Sequence, residues 1–241
     1  MDIKPALVLA GFFILVFCFA TISEAQTMKN EGLNAKEGKI VTIAAFTAKG
    51  DMDKLKAALN EGLDAGLTVN EIKEILVQMY AYAGFPRSLN GLGTFMGVTE
   101  ERQKKGIKDE LGREPSPLPP NKSKLELGTE IQTRLIGSPA SGVIYTFAPA
   151  IDAFLKEHLF GDIFGRDNLD FQSREIATIS ALANMEGVNP QLQAHFNIGF
   201  NVGLTESQMK SLVAVLDAKV GKKEADTASE ILGKVLNSRA G

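Results

Sequence analysis

The chain has 241 residues, enough for one large domain or two small ones, and 44% of them are hydrophobic, ample for a packed core. A formal charge of −3 supplies no basic surface, so nucleic acid is not an expected partner. The only cysteine is Cys18, and only two histidines, His158 and His195, are present.

The N-terminus reads "MDIKPALVLAGFFILVFCFATISEAQT". Lys4 precedes an apolar run from Ala6 to Ala20, and Ser23-Glu24-Ala25 closes it with small residues. This is the layout of a secretory signal spanning 1–25, with cleavage between Ala25 and Gln26 and contact with the membrane only through that segment. The run is short for a bilayer span, which takes ~20 residues. The expected protein is therefore exported, periplasmic or secreted, and carries no cysteine after processing. Thiol catalysis, disulfide exchange and Cys-ligated metal are excluded from such a chain.

The next segments repeat. "LKAALNEGLDAGLTVNEIKEIL" (55–76) overlies "LQAHFNIGFNVGLTESQMKSLV" (192–213), matching Asn60, Gly62, Gly66, Leu67, Thr68 and Lys73 to Asn197, Gly199, Gly203, Leu204, Thr205 and Lys210. After a one-residue shift, "IVTIAAF" (40–46) overlies "IATISAL" (176–182). A duplicated helical hairpin is expected. Thr68 with Glu71, and Thr205 with Gln208, are capping boxes. Asn189 is placed to cap a helix with Pro190 in its first turn, and Gly203 to end it. No segment shows strand alternation, so the fold is expected to be all-α.

"AYAGFPRSLNG" (81–91) follows the first hairpin. Gly84 and Pro86 should break the helix, Phe85 should leave the α region, and Tyr82 and Phe85 should pack on the core. Arg87 at this corner could pair a carboxylate bidentately. "ERQKKGIKDE" (101–110) balances acids and bases and reads as a solvated face. Four prolines between Pro115 and Pro120 favour extended chain, placing a linker at 111–135 between a first repeat at 26–110 and a second at 136–241. His158 in "FLKEHLFGD" reads as a surface or structural residue near a helix end. Two histidines, no available cysteine and no HExxH spacing argue against a metal site, and no cofactor is expected.

"GLTVNEIKEILVQMYAYAGFPRSLNGL" (66–92), "FGDIFGRDNLDFQSREIATISALANMEG" (160–187) and "AHFNIGFNVGLTESQMKSL" (194–212) together resemble the carboxymuconolactone decarboxylase family, which includes the alkylhydroperoxidase D-like proteins. The resemblance implies two tandem alkylhydroperoxidase D-like helical repeats. Peroxide-reducing members carry a Glu, two cysteines three positions apart, and a His four positions after the second cysteine. Glu175 and His195 fit the ends of that pattern, but Val188 and Gln191 stand at the thiol positions. In the first repeat Lys39 and Ala58 replace even the ends. One-repeat members typically form hexamers as trimers of dimers, so a two-repeat chain implies a homotrimer with pseudo-hexameric layout.

Glu175 shares a helical side with Ile179 and Leu182, and His195 shares one with Leu192, Ile198 and Val202. A carboxylate on an apolar stripe needs a partner, and an imidazole can take and return a proton near neutrality. The resemblance implies His195 and Glu175 as catalytic residues, and the corner of the first repeat offers Arg87, Tyr82 and Asn90 to bind substrate. One composite site per chain follows. The expected function is that of a cofactor-free lyase or proton-transfer enzyme on a small carboxylated lactone or carbonyl compound. The alternatives are a peroxiredoxin-type hydroperoxidase, disfavoured by the missing thiols, and a non-catalytic binding or assembly protein on the same scaffold.

Overall fold

The computed structural model describes residues 32–240, so the apolar N-terminal run, Cys18 and the expected cleavage point lie outside the described residues. Those residues form eleven α-helices and one π-helix, with no strand among them. The first repeat contributes α1 (Ala35–Lys49), α2 (Met52–Asp64), α3 (Val69–Ala83) and α4 (Phe85–Lys104). The second returns the same order in α8 (Phe171–Leu182), α9 (Asn189–Asn201), α10 (Glu206–Lys219) and α11 (Lys222–Ala240). Between them lie α5 (Lys124–Ile136), α6 (Val143–Phe147), α7 (Pro149–Phe154) and the π-helix Leu155–Ile163.

The first helices of the two repeats form the centre. Ile40–Ala48 in α1 and Arg174–Leu182 in α8 are buried at every position, so neither stretch has a solvent face. Ala44, Ala45, Ala48, Ala177 and Ala181 keep these helices slim, and α1 packs on α8 as the main seam between repeats. Buried hydroxyls are satisfied within the helix: Thr47 donates to the Ile43 carbonyl at 2.7 Å and Ser180 to that of Ile176 at 2.6 Å. α3 of the first repeat packs on α8 and α10 of the second on α1, an approximate two-fold arrangement. One apolar core therefore runs through both repeats.

The hairpin signals operate as the sequence suggests. Thr68–Glu71 and Thr205–Gln208 are capping boxes in both directions. Gly66 and Gly203, at φ +90° and +98°, turn the chain after α2 and α9 in a conformation glycine adopts without steric cost. Asn189 differs from expectation. It is the first helical residue rather than the cap, and Val188 precedes it without a side-chain capping bond.

Two further expectations are corrected. The extended proline-rich chain ends at Ser123, and α5 occupies the C-terminal part of the range assigned to the linker, from Lys124 on. Ser123 and Glu126 form a capping box that starts α5, and the helix packs against the π-helix. The approach is close: a Cβ on Gly128 would overlap the Lys156 carbonyl oxygen. At the corner, Phe85 is helical and exposed instead of being pushed out of the α region and packed on the core. The bend falls on Gly84 alone, whose φ of +86° and ψ of 156° lie in a region open essentially to glycine. Phe85 stacks on Tyr80 with ring centroids 4.3 Å apart.

Candidate functional site

α8 begins at its Asp170 cap, which accepts from the Ser173 amide at 2.7 Å, and this fixes Glu175 in the second turn. α9 packs across α8. The two helices bring His195 Nδ1 to 2.7 Å from Glu175 Oε2, a contact that residue spacing alone left open. The Glu175 side chain is fully buried and that of His195 is 12% exposed. An ionised carboxylate only accepts, so in the charged pair Nδ1–H donates and Nε2 is the nitrogen left to exchange a proton. Glu175 Oε1 is buried without a hydrogen-bond partner.

The first repeat supplies the neighbouring wall. Tyr82, in the last turn of α3, meets the His195 ring edge-on, with centroids 5.4 Å apart and planes at 80°. Its buried hydroxyl lies beside the Thr178 side chain, close enough to feel that hydroxyl but not in hydrogen-bonding geometry with it or with any other protein group. Burial, reinforced by the Glu175 charge, holds the phenol well above its usual range, so it keeps its proton. Tyr82 thus joins the pair across the repeat boundary.

Below Tyr82 the same face of α3 carries Gln78 and Glu74, four and eight residues earlier. Arg174, fully buried, donates to Gln78 Oε1 at 2.8 Å, to Glu74 Oε1 at 2.8 Å and to the Arg166 carbonyl at 2.7 Å. Arg166 Nε reaches both Glu74 oxygens, at 3.0 and 2.9 Å. Gln78 Nε2 in turn donates to the Arg174 carbonyl at 3.0 Å and to Thr178 Oγ1 at 2.9 Å. Burial pulls the Arg174 guanidinium below its usual value, and the Glu74 charge opposes that pull. These five residues lock α3 to α8 and so fix Tyr82 relative to Glu175. Sequence reading passed over them. The signal was the four-residue spacing of Glu74, Gln78 and Tyr82, and of Arg174 and Thr178, on otherwise apolar helices.

The other named residues lie elsewhere. Arg87 lines a separate cavity of about 760 Å³ with Lys49, Asn184, Glu186 and Lys223, and neither Glu175 nor His195 borders it. Asn90 is exposed on α4, with its carbonyl accepting from Thr94. Of the three first-repeat residues, Tyr82 therefore lies against the Glu175–His195 pair, while Arg87 lines a different cavity and Asn90 is exposed on α4. His158 sits within the π-helix rather than at a helix end, half-exposed, bonded to Asp162 at 2.9 Å. Among the described residues, no three His, Cys, Asp or Glu side chains gather in a metal-holding cluster. The pseudo-equivalent position in the first repeat has lost the pair, with Lys39 and Ala58 in its place.

Known proteins resemble this chain over its N-terminal part. Residues 18–95 match the carboxymuconolactone decarboxylase family. The match starts inside the apolar N-terminal run and covers most of the first repeat. An uncharacterized 15.0 kDa protein in the nqo9-nqo10 intergenic region of Paracoccus denitrificans is 33% identical over 78 residues. That stretch is 32% of this chain and 58% of the relative, so the chain spans little more than half the length of the curated protein it matches. The Glu175–His195 pair lies outside the family-matched segment.

Proposed function

We propose that this chain, whose residues 18–95 match the carboxymuconolactone decarboxylase family, is a cofactor-free proton-transfer enzyme. Its substrate would be a small carboxylated lactone or carbonyl compound, and its reaction that of a lyase. One observation carries the reading: a buried carboxylate holds an almost buried imidazole at 2.7 Å, where two repeats meet.

In a decarboxylation, the bond from the carboxylate carbon to its neighbour breaks and CO₂ departs. The electron pair stays on the neighbouring carbon, delocalised into the carbonyl. His195, as imidazolium, delivers its Nε2 proton to that carbon and is reprotonated from solvent. Glu175 orients the ring through Nδ1 and balances the imidazolium charge. Thiol peroxidase chemistry has no support in the site, because Val188 and Gln191 stand where the family's peroxidases carry cysteines. A panel of carboxylated lactones and oxo acids, assayed for CO₂ release and for loss of the parent compound, tests the proposal. Turnover by the native protein that fails in the His195→Gln variant supports it. Ligand binding with no turnover across the panel would make the protein a binding module instead.

Export after Ala25 and assembly as a homotrimer complete the proposal. The assembly reading is supported by α6 and α7, which have no buried residue of their own and expose Val143 (89%), Phe147 (87%) and Phe154 (64%). A second copy of the chain covering these side chains would remove apolar surface from water and close a ring. Light scattering should give three chain masses, and the mass of each chain should correspond to residues 26–241. A stable monomer at micromolar concentration would contradict the assembly, and a chain starting at Met1 would contradict the processing.

A further inference from the structure

We infer that one water molecule, buried behind the pair, bridges the Tyr82 hydroxyl to Glu175 Oε1, which makes Tyr82 a positioning residue acting on His195 through Glu175. The inference rests on the reading of Glu175 and His195 as a working pair and adds a third member to it.

Two buried polar atoms of opposite character stand at this point without protein partners: Tyr82 Oη, a donor, and Glu175 Oε1, an acceptor. Leaving both desolvated and unmatched is costly, and native interiors rarely do so. The Tyr82 ring lies against the imidazole that holds the other carboxylate oxygen, so the two atoms belong to one neighbourhood. Its phenol also experiences the Glu175 charge. A water placed between Tyr82 Oη and Glu175 Oε1 accepts from the first and donates to the second, which gives it the two polar partners that an internal water needs at least.

The bridge has a chemical consequence. A hydrogen bond to Oε1 withdraws electron density from the carboxylate and so weakens its hold on His195 Nδ1–H. Thr178, which accepts from Gln78, lies beside the phenol without reaching hydrogen-bonding geometry with it.

Tyr82→Phe keeps the ring and removes only the hydroxyl, and its effect can be read without a substrate. In protein labelled with ¹⁵N-histidine, only His158 and His195 report, and Glu175→Gln identifies the His195 Nδ1–H signal. The variant should move that signal downfield as the Glu175–His195 bond tightens, and high-resolution crystals should show the water in native protein but not in the variant. An Nδ1–H signal superimposable on the native one, or density in which Tyr82 bonds only to Thr178, would overturn the inference. Its failure is separable from that of the proposed function. If His195→Gln abolishes turnover while Tyr82→Phe leaves the resonance unmoved, the bridge alone falls. If His195→Gln retains full turnover, the proton-transfer reading falls whatever Tyr82 does.

Discussion

Replacing Arg174 by methionine should lower the unfolding free energy by about 3–5 kcal/mol, the usual cost of removing one partner from a buried ion pair. Arg174 is fully buried and donates to Glu74, Gln78 and the Arg166 carbonyl, so methionine takes the donor from Gln78 Oε1 and from that carbonyl and leaves the buried Glu74 carboxylate with Arg166 alone. Arg166 still bonds Glu74, but its side chain is 37% exposed and cannot follow the carboxylate inward. Denaturant unfolding followed by far-ultraviolet circular dichroism measures the loss. The double variant Glu74→Met, Arg174→Met removes both buried charges together and should recover part of the stability, because the one ion left without its partner, Arg166, is partly exposed and reaches solvent. A single variant within about 0.5 kcal/mol of the native protein would show that this network does not hold the repeats together.

His195→Gln should leave fold and assembly intact while reducing turnover by ~10²–10⁴-fold, the usual contribution of a positioned general acid or base. Glutamine is close in size and its amide can still donate to Glu175, so the packing around Leu192, Phe196 and Ile198 survives. The amide cannot accept and return a proton. Steady-state rates on any substrate found in the panel, with circular dichroism and light scattering as controls, measure the effect. A histidine held only by packing would tolerate this change with little specific loss.

Much of the architecture was legible in the sequence because it rests on local chemistry. Both Thr-initiated capping boxes and the glycines after α2 and α9 occur twice at matched positions, and they open and close the same helices in each repeat. The Ser123–Glu126 capping box was equally local, but the nearby prolines masked it, and α5 fell inside the presumed linker. Phe85 misled for a related reason. The rule for residues before proline disfavours the α region, yet Gly84 absorbs the whole bend and leaves Phe85 free to begin the helix. The site was legible by type more than by geometry. Glu175 and His195 stood out as polar residues on apolar faces, but their meeting depends on how α9 crosses α8. Arg87 looked suited to a carboxylate, but its direction depends on a corner whose shape the chain settles only in three dimensions. Glu74, Gln78 and Arg174 were passed over because each finds its partner about a hundred residues away.

The most direct measurement is a double-mutant cycle in turnover between Glu175→Gln and His195→Gln. Residues that act as one unit lose activity together, so removing the second after the first costs little more. The account predicts that each single variant is slowed by about 10²–10⁴-fold, and that the double variant is no slower than His195→Gln within a factor of about three. Losses that multiply, or a His195→Gln variant that turns over at the native rate, would contradict it.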